Sequence, residues 1–156
     1  MIQLYCGDGK GKSTAAAGQA LRAAANGMDV VFVQCLPNRT AGELKLLDTF
    51  ENIHVMCISD SFSDTAQLLE EVKKKIVEAD FDLIILDDAA NAVEKDMLDS
   101  DYLKEFINKY CKNIETVITG SIPEMWMLDA ADDVTDMEKI KHPYDKGVKK
   151  RKGIEY

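Results

Sequence analysis

Short apolar runs alternate along this chain with longer stretches in which apolar side chains recur every three or four positions. Ile2 to Cys6 reads as a strand, and Lys12 to Asn26, rich in alanine and leucine, as a helix that stops at Gly27. Asp29 to Cys35 is a second strand, followed by a turn-rich stretch at Pro37-Asn38-Arg39 and a short helix near Gly42–Phe50. Ile53 to Ile58 is the third strand. From Asp64 to Ala79 the apolar positions Leu68, Leu69, Val72, Ile76 and Val77 mark a helix. The run Leu83-Ile84-Ile85-Leu86 within Asp82 to Asp87 predicts a fourth strand buried on both faces. Ser100 is placed to cap a helix reaching Cys111, Glu115 to Thr119 is a fifth strand, and Pro123 to Ala131 a helix with proline in its first turn. Val134 to Met137 completes the set as a sixth strand. Strands alternating with helices imply right-handed crossovers and a mostly parallel sheet of about six strands with helices on both faces. No repeat, linker or compositional boundary interrupts residues 1–156, so a single domain is expected.

Length and composition agree with that reading. The 156 residues are enough for one core, and 46% hydrophobic with 30% charged residues is the balance of a globular protein. No apolar run approaches the roughly 18 residues needed to span a bilayer, and the start lacks the pattern of a signal peptide. The expectation is a cytoplasmic protein without a membrane partner. A net charge of −9 argues against nucleic acid as a partner, because a phosphate backbone needs a broad basic face. The basic residues are nevertheless uneven: Lys139, Lys141, Lys146, Lys149, Lys150, Arg151 and Lys152 crowd into the last eighteen positions. They read either as a solvated tail or as a basic segment folded back toward a polyanion. The four cysteines have no Cys-x-x-Cys spacing, and two histidines exclude a histidine-rich metal site. Cys6, Cys35 and Cys57, each ending an apolar run, read as buried small hydrophobes.

Chemistry enters at Cys6-Gly7-Asp8-Gly9-Lys10-Gly11-Lys12-Ser13-Thr14, between the first strand and the first helix. Glycines at 7, 9 and 11 free the backbone to turn its N–H groups toward an anion, and the helix N-terminus adds its own donors and dipole. Lys12 puts a positive charge near the β and γ phosphates, Lys10 adds a second, and the Ser13 hydroxyl is positioned to hold Mg²⁺. Gly7 to Thr14 are the expected binding residues for a nucleoside triphosphate, ATP above others. The usual pattern has glycine where Cys6 stands, so the match is to the Gly-Lys-Ser core and its setting. Proteins with this loop hold Mg²⁺ with an acid at the end of a neighbouring strand, often through water. Asp87 ends the fourth apolar run and Asp88 follows, which makes Ser13, Asp87 and Asp88 the metal candidates; capping the next helix is the alternative use of either acid.

With both motifs placed, the chain resembles the P-loop ATP:corrinoid adenosyltransferases of cobalamin biosynthesis and salvage. The likeness runs nearly the whole length: GDGKGKSTAAAGQALRA, Val33-Gln34, Gly42-Glu43, Phe62, DLIILDD, Thr119-Gly120, Ala131 to Met137 and the C-terminal IKHPYDKGVKKRKGIEY. It implies a three-layer RecA-like P-loop fold, typically dimeric, and transfer of the 5′-deoxyadenosyl group of ATP to the Co(I) of a reduced corrinoid with release of triphosphate. It also implies an electron-donating reductase or flavodoxin as partner. The cobalt of the substrate is the nucleophile, so no catalytic serine or cysteine is required. Lys12 and Asp88 would support the leaving group and metal, and Phe62 would lie against the corrinoid.

The chain departs from its relatives at several places. They commonly have threonine at Cys6, glutamate at Asp88, arginine at Ser121, tryptophan at Asp64 and lysine near Pro37. These departures leave two other readings open, a non-catalytic relative that holds ATP and a corrinoid, and a P-loop phosphotransferase acting on a small molecule.

Overall fold

A computed structural model describes residues 1–37, 41–58, 64–149 and 151–154. In chain order it contains β1 (Ile2–Cys6), α1 (Lys12–Ala24), β2 (Val30–Gln34), α2 (Gly42–Leu47), β3 (Ile53–Cys57), α3 (Thr65–Glu78) and β4 (Leu83–Asp87). There follow α4 (Ala89–Glu94), α5 (Ser100–Phe106), β5 (Glu115–Thr119), α6 (Met125–Ala130) and β6 (Asp133–Asp136). All pairings are parallel, in the order β3-β2-β4-β5-β1-β6. The α/β architecture expected from the sequence is therefore the one observed. β5 lies between the strand that feeds the glycine-rich loop and the strand that ends in Asp87.

Alternation along the central strands explains why they read as unbroken apolar runs. Val31 and Val33 of β2 with Ile84 and Leu86 of β4 face one core, where they meet Leu68, Leu69 and Val72 of α3 and Leu103 and Phe106 of α5. Val30, Phe32, Leu83 and Ile85 face the other, against Ala16, Ala17, Ala20, Ala23 and Ala24 of α1 and Leu44 and Leu47 of α2. Both faces are covered, so period-two patterning disappears. The alanine stripe of α1 keeps that helix close to the sheet and so fixes where its N-terminus sits relative to the strand ends.

Several local expectations shift. Val77 is 72% exposed, and the buried stripe of α3 ends at Val72 with Ile76 only partly covered. The cap of α5 is Asp99, whose carboxylate accepts the Tyr102 N–H (2.8 Å). Ser100, expected in that role, instead donates its hydroxyl to Glu124 and accepts from the Trp126 indole (2.9 Å). The stretch to Cys111 continues as a π-helical turn, Ile107–Cys111. α6 begins at Met125, so Pro123 precedes the helix rather than sitting in its first turn. β6 lies one residue earlier than expected, and all four of its residues are exposed because it is a sheet edge. Cys6, Cys35 and Cys111 are buried, whereas Cys57 is only half-buried.

Candidate active site

The loop from Gly7 to Gly11 leaves the C-terminal end of β1 and delivers the chain to α1. Gly7 has φ 93°, a left-handed conformation in which a side chain is strained. Gly9 is needed for a different reason: a Cβ there would overlap the carbonyl oxygen of Met137. That close approach carries a hydrogen bond, from the Gly9 N–H to the Met137 carbonyl (2.6 Å), while the Met137 N–H donates to the Cys6 carbonyl (2.9 Å). The Gly7 N–H donates to the Ser121 carbonyl (3.0 Å). The loop is thus bound on two sides, by the β5–α6 connection and by the chain leaving β6.

Lys12 is the first residue of α1, and its ammonium donates to the carbonyls of Gly7 and Gly9, both at 2.7 Å. Two of its three donors hold it over the loop, and one is left for an incoming anion. Ser13 follows, close enough to Asp87 for its hydroxyl to help lower that carboxyl's pKa.

Asp87 is the hub. It is 1% exposed, at the end of β4, and accepts from Thr119 Oγ1 (2.6 Å) and Gln34 Nε2 (2.9 Å). Burial first, and the neighbouring Asp88 carboxylate second, push its pKa up to about 6, while the Thr119, Ser13 and Gln34 side chains pull it the other way. A buried carboxylate held above its usual range, close to Ser13 of the phosphate loop, suits a site completed by a cation. Among the described residues no three His, Cys, Asp or Glu side chains gather as a metal cluster. A cation here would therefore draw its oxygens from Ser13, from the acids through water and from phosphates, which is how Mg²⁺ is usually held.

Asp88 lies on the wall of the cleft with φ 59°, the left-handed region that aspartate tolerates better than most residues. Its N–H donates to Thr119 Oγ1 (2.8 Å) and its carboxylate accepts from Asn91 Nδ2 (2.7 Å). Asp88 occupies the N-cap position of α4, yet its side chain makes no cap hydrogen bond. The capping alternative is therefore not how the carboxylate is used. Asn91 Oδ1 in turn accepts the Ser121 N–H (2.6 Å). Sequence reasoning did not single out Asn91, and it noted Gln34 and Thr119 only within the family likeness. The register places them here, since Gln34 pairs with Asp87 across β2 and β4.

A cleft of about 490 Å³ opens over the loop. Asp8, Gly9, Lys10, Gly11, Lys12, Ser13 and Thr14 form one side, with Gln34, Glu43 and Asp88. The other side is the C-terminal segment, with Lys139, His142, Tyr144, Val148, Lys149 and Ile154. The basic tail thus folds back over the loop, and a chain of charge −9 lines this cleft with four lysines. Burial holds the thiols of Cys6 and Cys35 above their ordinary pKa, helped by Asp136 and by Asp87 respectively, so neither supplies a thiolate. Phe62 lies outside the described residues. Asp64, two positions on, caps α3 by accepting the Gln67 N–H (2.9 Å).

A parallel sheet with a glycine-rich loop, a lysine over it and a serine near a strand-end aspartate defines a nucleotide-binding protein of the P-loop class. The family model described as ATP:corrinoid adenosyltransferase BtuR/CobO/CobP matches residues 1–156, and the chain belongs to that family. It is 30% identical over 171 aligned residues to the corrinoid adenosyltransferase of Escherichia coli strain K12, covering all of this chain and 85% of the relative. The corrinoid adenosyltransferase CobA of Salmonella typhimurium strain LT2 gives the same identity and coverage. That of Pseudomonas aeruginosa is 28% identical, with all of this chain and 83% of the relative aligned.

Proposed function

We propose that the protein transfers the 5′-deoxyadenosyl group of ATP to the Co(I) of a reduced corrinoid and releases triphosphate. The observation that carries this reading is Lys12 held on the carbonyls of a glycine-rich loop, with Ser13 near the buried Asp87, in a chain matched end to end by the adenosyltransferase family. In the transfer, the cobalt lone pair of the substrate forms the bond to C5′ as the C5′–O bond breaks, and the electron pair leaves with the triphosphate. Lys12, Lys10 and the loop N–H groups other than those of Gly7 and Gly9, which are bonded to Ser121 and Met137, receive the charge that develops there. Ser13 and the Asp87/Asp88 pair hold Mg²⁺, which supplies further neutralisation of the leaving group when bound. No side chain needs to act as a nucleophile, in keeping with cysteines held as thiols. Gly7 to Thr14 bind ATP, and Phe62 contacts the corrinoid.

The family likeness supports three further readings. The protein acts as a homodimer, as a single domain of 156 residues, and receives its electron from a reductase or flavodoxin. No described helix is long and apolar enough to cross a membrane, and a cytoplasmic site of action is proposed.

The test is a product analysis with chemically reduced Co(I) cobalamin and Mg·ATP. Triphosphate together with an adenosylated corrinoid is the expected outcome. ATP retained without turnover would mark a binding relative, and ADP with a phosphorylated acceptor a phosphotransferase; either overturns the reading. Phe62→Ala should slow transfer while leaving ATP affinity intact, measured by parallel turnover and calorimetry.

A further inference from the structure

The C-terminal segment does more than approach the phosphate loop; its course is fixed by it. Met137 binds Gly9 and Cys6 through its main chain, and the Lys139 N–H donates to the Asp8 carboxylate (2.9 Å). Beyond these anchors Lys139 Nζ reaches Asp145 (3.2 Å), and a 3₁₀ turn, Pro143–Lys146, follows. His142 Nδ1 accepts the Tyr144 N–H (3.1 Å), and Gly147 closes the turn in the left-handed conformation. A tail that was merely solvated would have no reason to be tied to the loop's own aspartate and glycine.

Besides Lys139, His142 and Lys149, this segment presents apolar and aromatic side chains to the cleft. Tyr144, Val148 and Ile154 are 70%, 40% and 59% exposed, and all three line the same cleft. Single exposed apolar side chains are ordinary, but three lining the cleft that the phosphate loop also lines form a surface suited to an apolar, flat group. The triphosphate binds at one side, so the remainder of the ligand, a ribose and a purine, must project elsewhere within the 490 Å³.

We propose that residues Lys139 to Lys149, with Ile154, form the nucleoside half of the ATP site, with Tyr144 the ring on which the adenine stacks and Val148 and Ile154 its apolar flank. The inference rests on the reading of Gly7 to Thr14 as the triphosphate site. Base stacking on an aromatic ring is tolerant of base identity, and loss of the ring weakens binding by roughly five- to a hundredfold.

The experiment compares two probes, Mg·ATP and Mg·inorganic triphosphate, by calorimetry on the full chain. Tyr144→Ala should weaken ATP binding by roughly five- to a hundredfold and leave inorganic triphosphate within about twofold. Tyr144→Phe keeps the ring and should restore ATP affinity. Lys12→Ala should weaken both ligands. If Tyr144→Ala changes neither ligand, or both equally, while Lys12→Ala weakens both, the nucleoside assignment is overturned and the phosphate site stands. If Lys12→Ala also changes neither, both readings fall. Loss of ATP affinity in Tyr144→Phe equal to that in Tyr144→Ala overturns stacking in favour of a hydroxyl contact. Because Tyr144 is largely exposed, an unchanged melting temperature in each variant confirms that the loss is local.

Discussion

Asp87 gives the candidate site a pH dependence with a calculable sign. Its carboxyl moves from the ordinary 3.8 to about 6 in the folded chain, chiefly through burial and secondarily through Asp88. A folded-state pKa above the unfolded one means that the native protein holds this proton more tightly. The stability it contributes is complete below about pH 4 and is lost as pH rises through about 6. The span corresponds to about 3 kcal/mol. For a chain of this length that is roughly 6–12 °C in Tm. Other carboxylates titrate over the same range, so the informative quantity is the difference between wild type and Asp87→Asn, melted in EDTA from pH 4 to pH 7. The substituted amide cannot ionise, and the variant should gain on the wild type by that amount across the window. Mg·ATP supplies a cation beside the carboxylate, so its stabilisation of the wild type should grow over the same interval. A wild-type-minus-variant difference that stays flat from pH 4 to pH 7 would refute the argument, since Asp87 would then be charged throughout at no cost.

Three further outcomes follow from the geometry. Lys12→Ala removes a charge-assisted contact and should lower ATP affinity roughly ten- to a hundredfold by calorimetry. Gly9→Ala forces a methyl group against the Met137 carbonyl, so the junction between the loop and the chain leaving β6 must open; lower Tm and lost ATP binding are expected together in thermal shift with and without nucleotide. Asp64→Trp restores the residue common among relatives but deletes the α3 cap, at a cost of about 1 kcal/mol, or roughly 2–4 °C in Tm, whatever it does for the corrinoid.

The parts of this site that were legible in the sequence are those encoded by contiguous residues. Glycines with Lys12 and Ser13 announce a phosphate loop because the chemistry needs them in one turn, and Asp87 stands out because an acid ends an apolar run. Gln34, Thr119 and Asn91 belong to the same cluster but come from three separate segments. Their convergence depends on which strands are neighbours, and the order β3-β2-β4-β5-β1-β6 is not written in any local pattern. Ser100 misled for a related reason: a serine at a helix start is a good cap, but Asp99 precedes it and the Ser100 hydroxyl is engaged by Glu124 and Trp126, far along the chain. The basic tail was ambiguous because charge alone does not say where a segment lies. Its main-chain bonds to Gly9 and Asp8 decide that.

The departures from the relatives' pattern divide along the same line. Cys6 contributes a carbonyl to Met137 and a buried side chain to the core, roles that a threonine or a cysteine can both meet through the backbone. Ser121 is held by its own N–H on Asn91 and its carbonyl on the Gly7 N–H, so the connection it occupies keeps its course without an arginine side chain. Asp88 is fixed by Thr119 and Asn91 on the cleft wall, with its carboxylate beside the loop. At each of these positions the frame of the nucleotide site is secured by main-chain or short polar contacts that the departure leaves in place. Asp64 is different. Its carboxylate is committed to the first turn of α3, two residues from Phe62, and an acid engaged in capping cannot offer the flat apolar face of an indole. The altered chemistry is therefore concentrated next to the proposed corrinoid contact, and it is there, rather than in ATP binding, that this chain should differ from its relatives in the corrinoid it accepts.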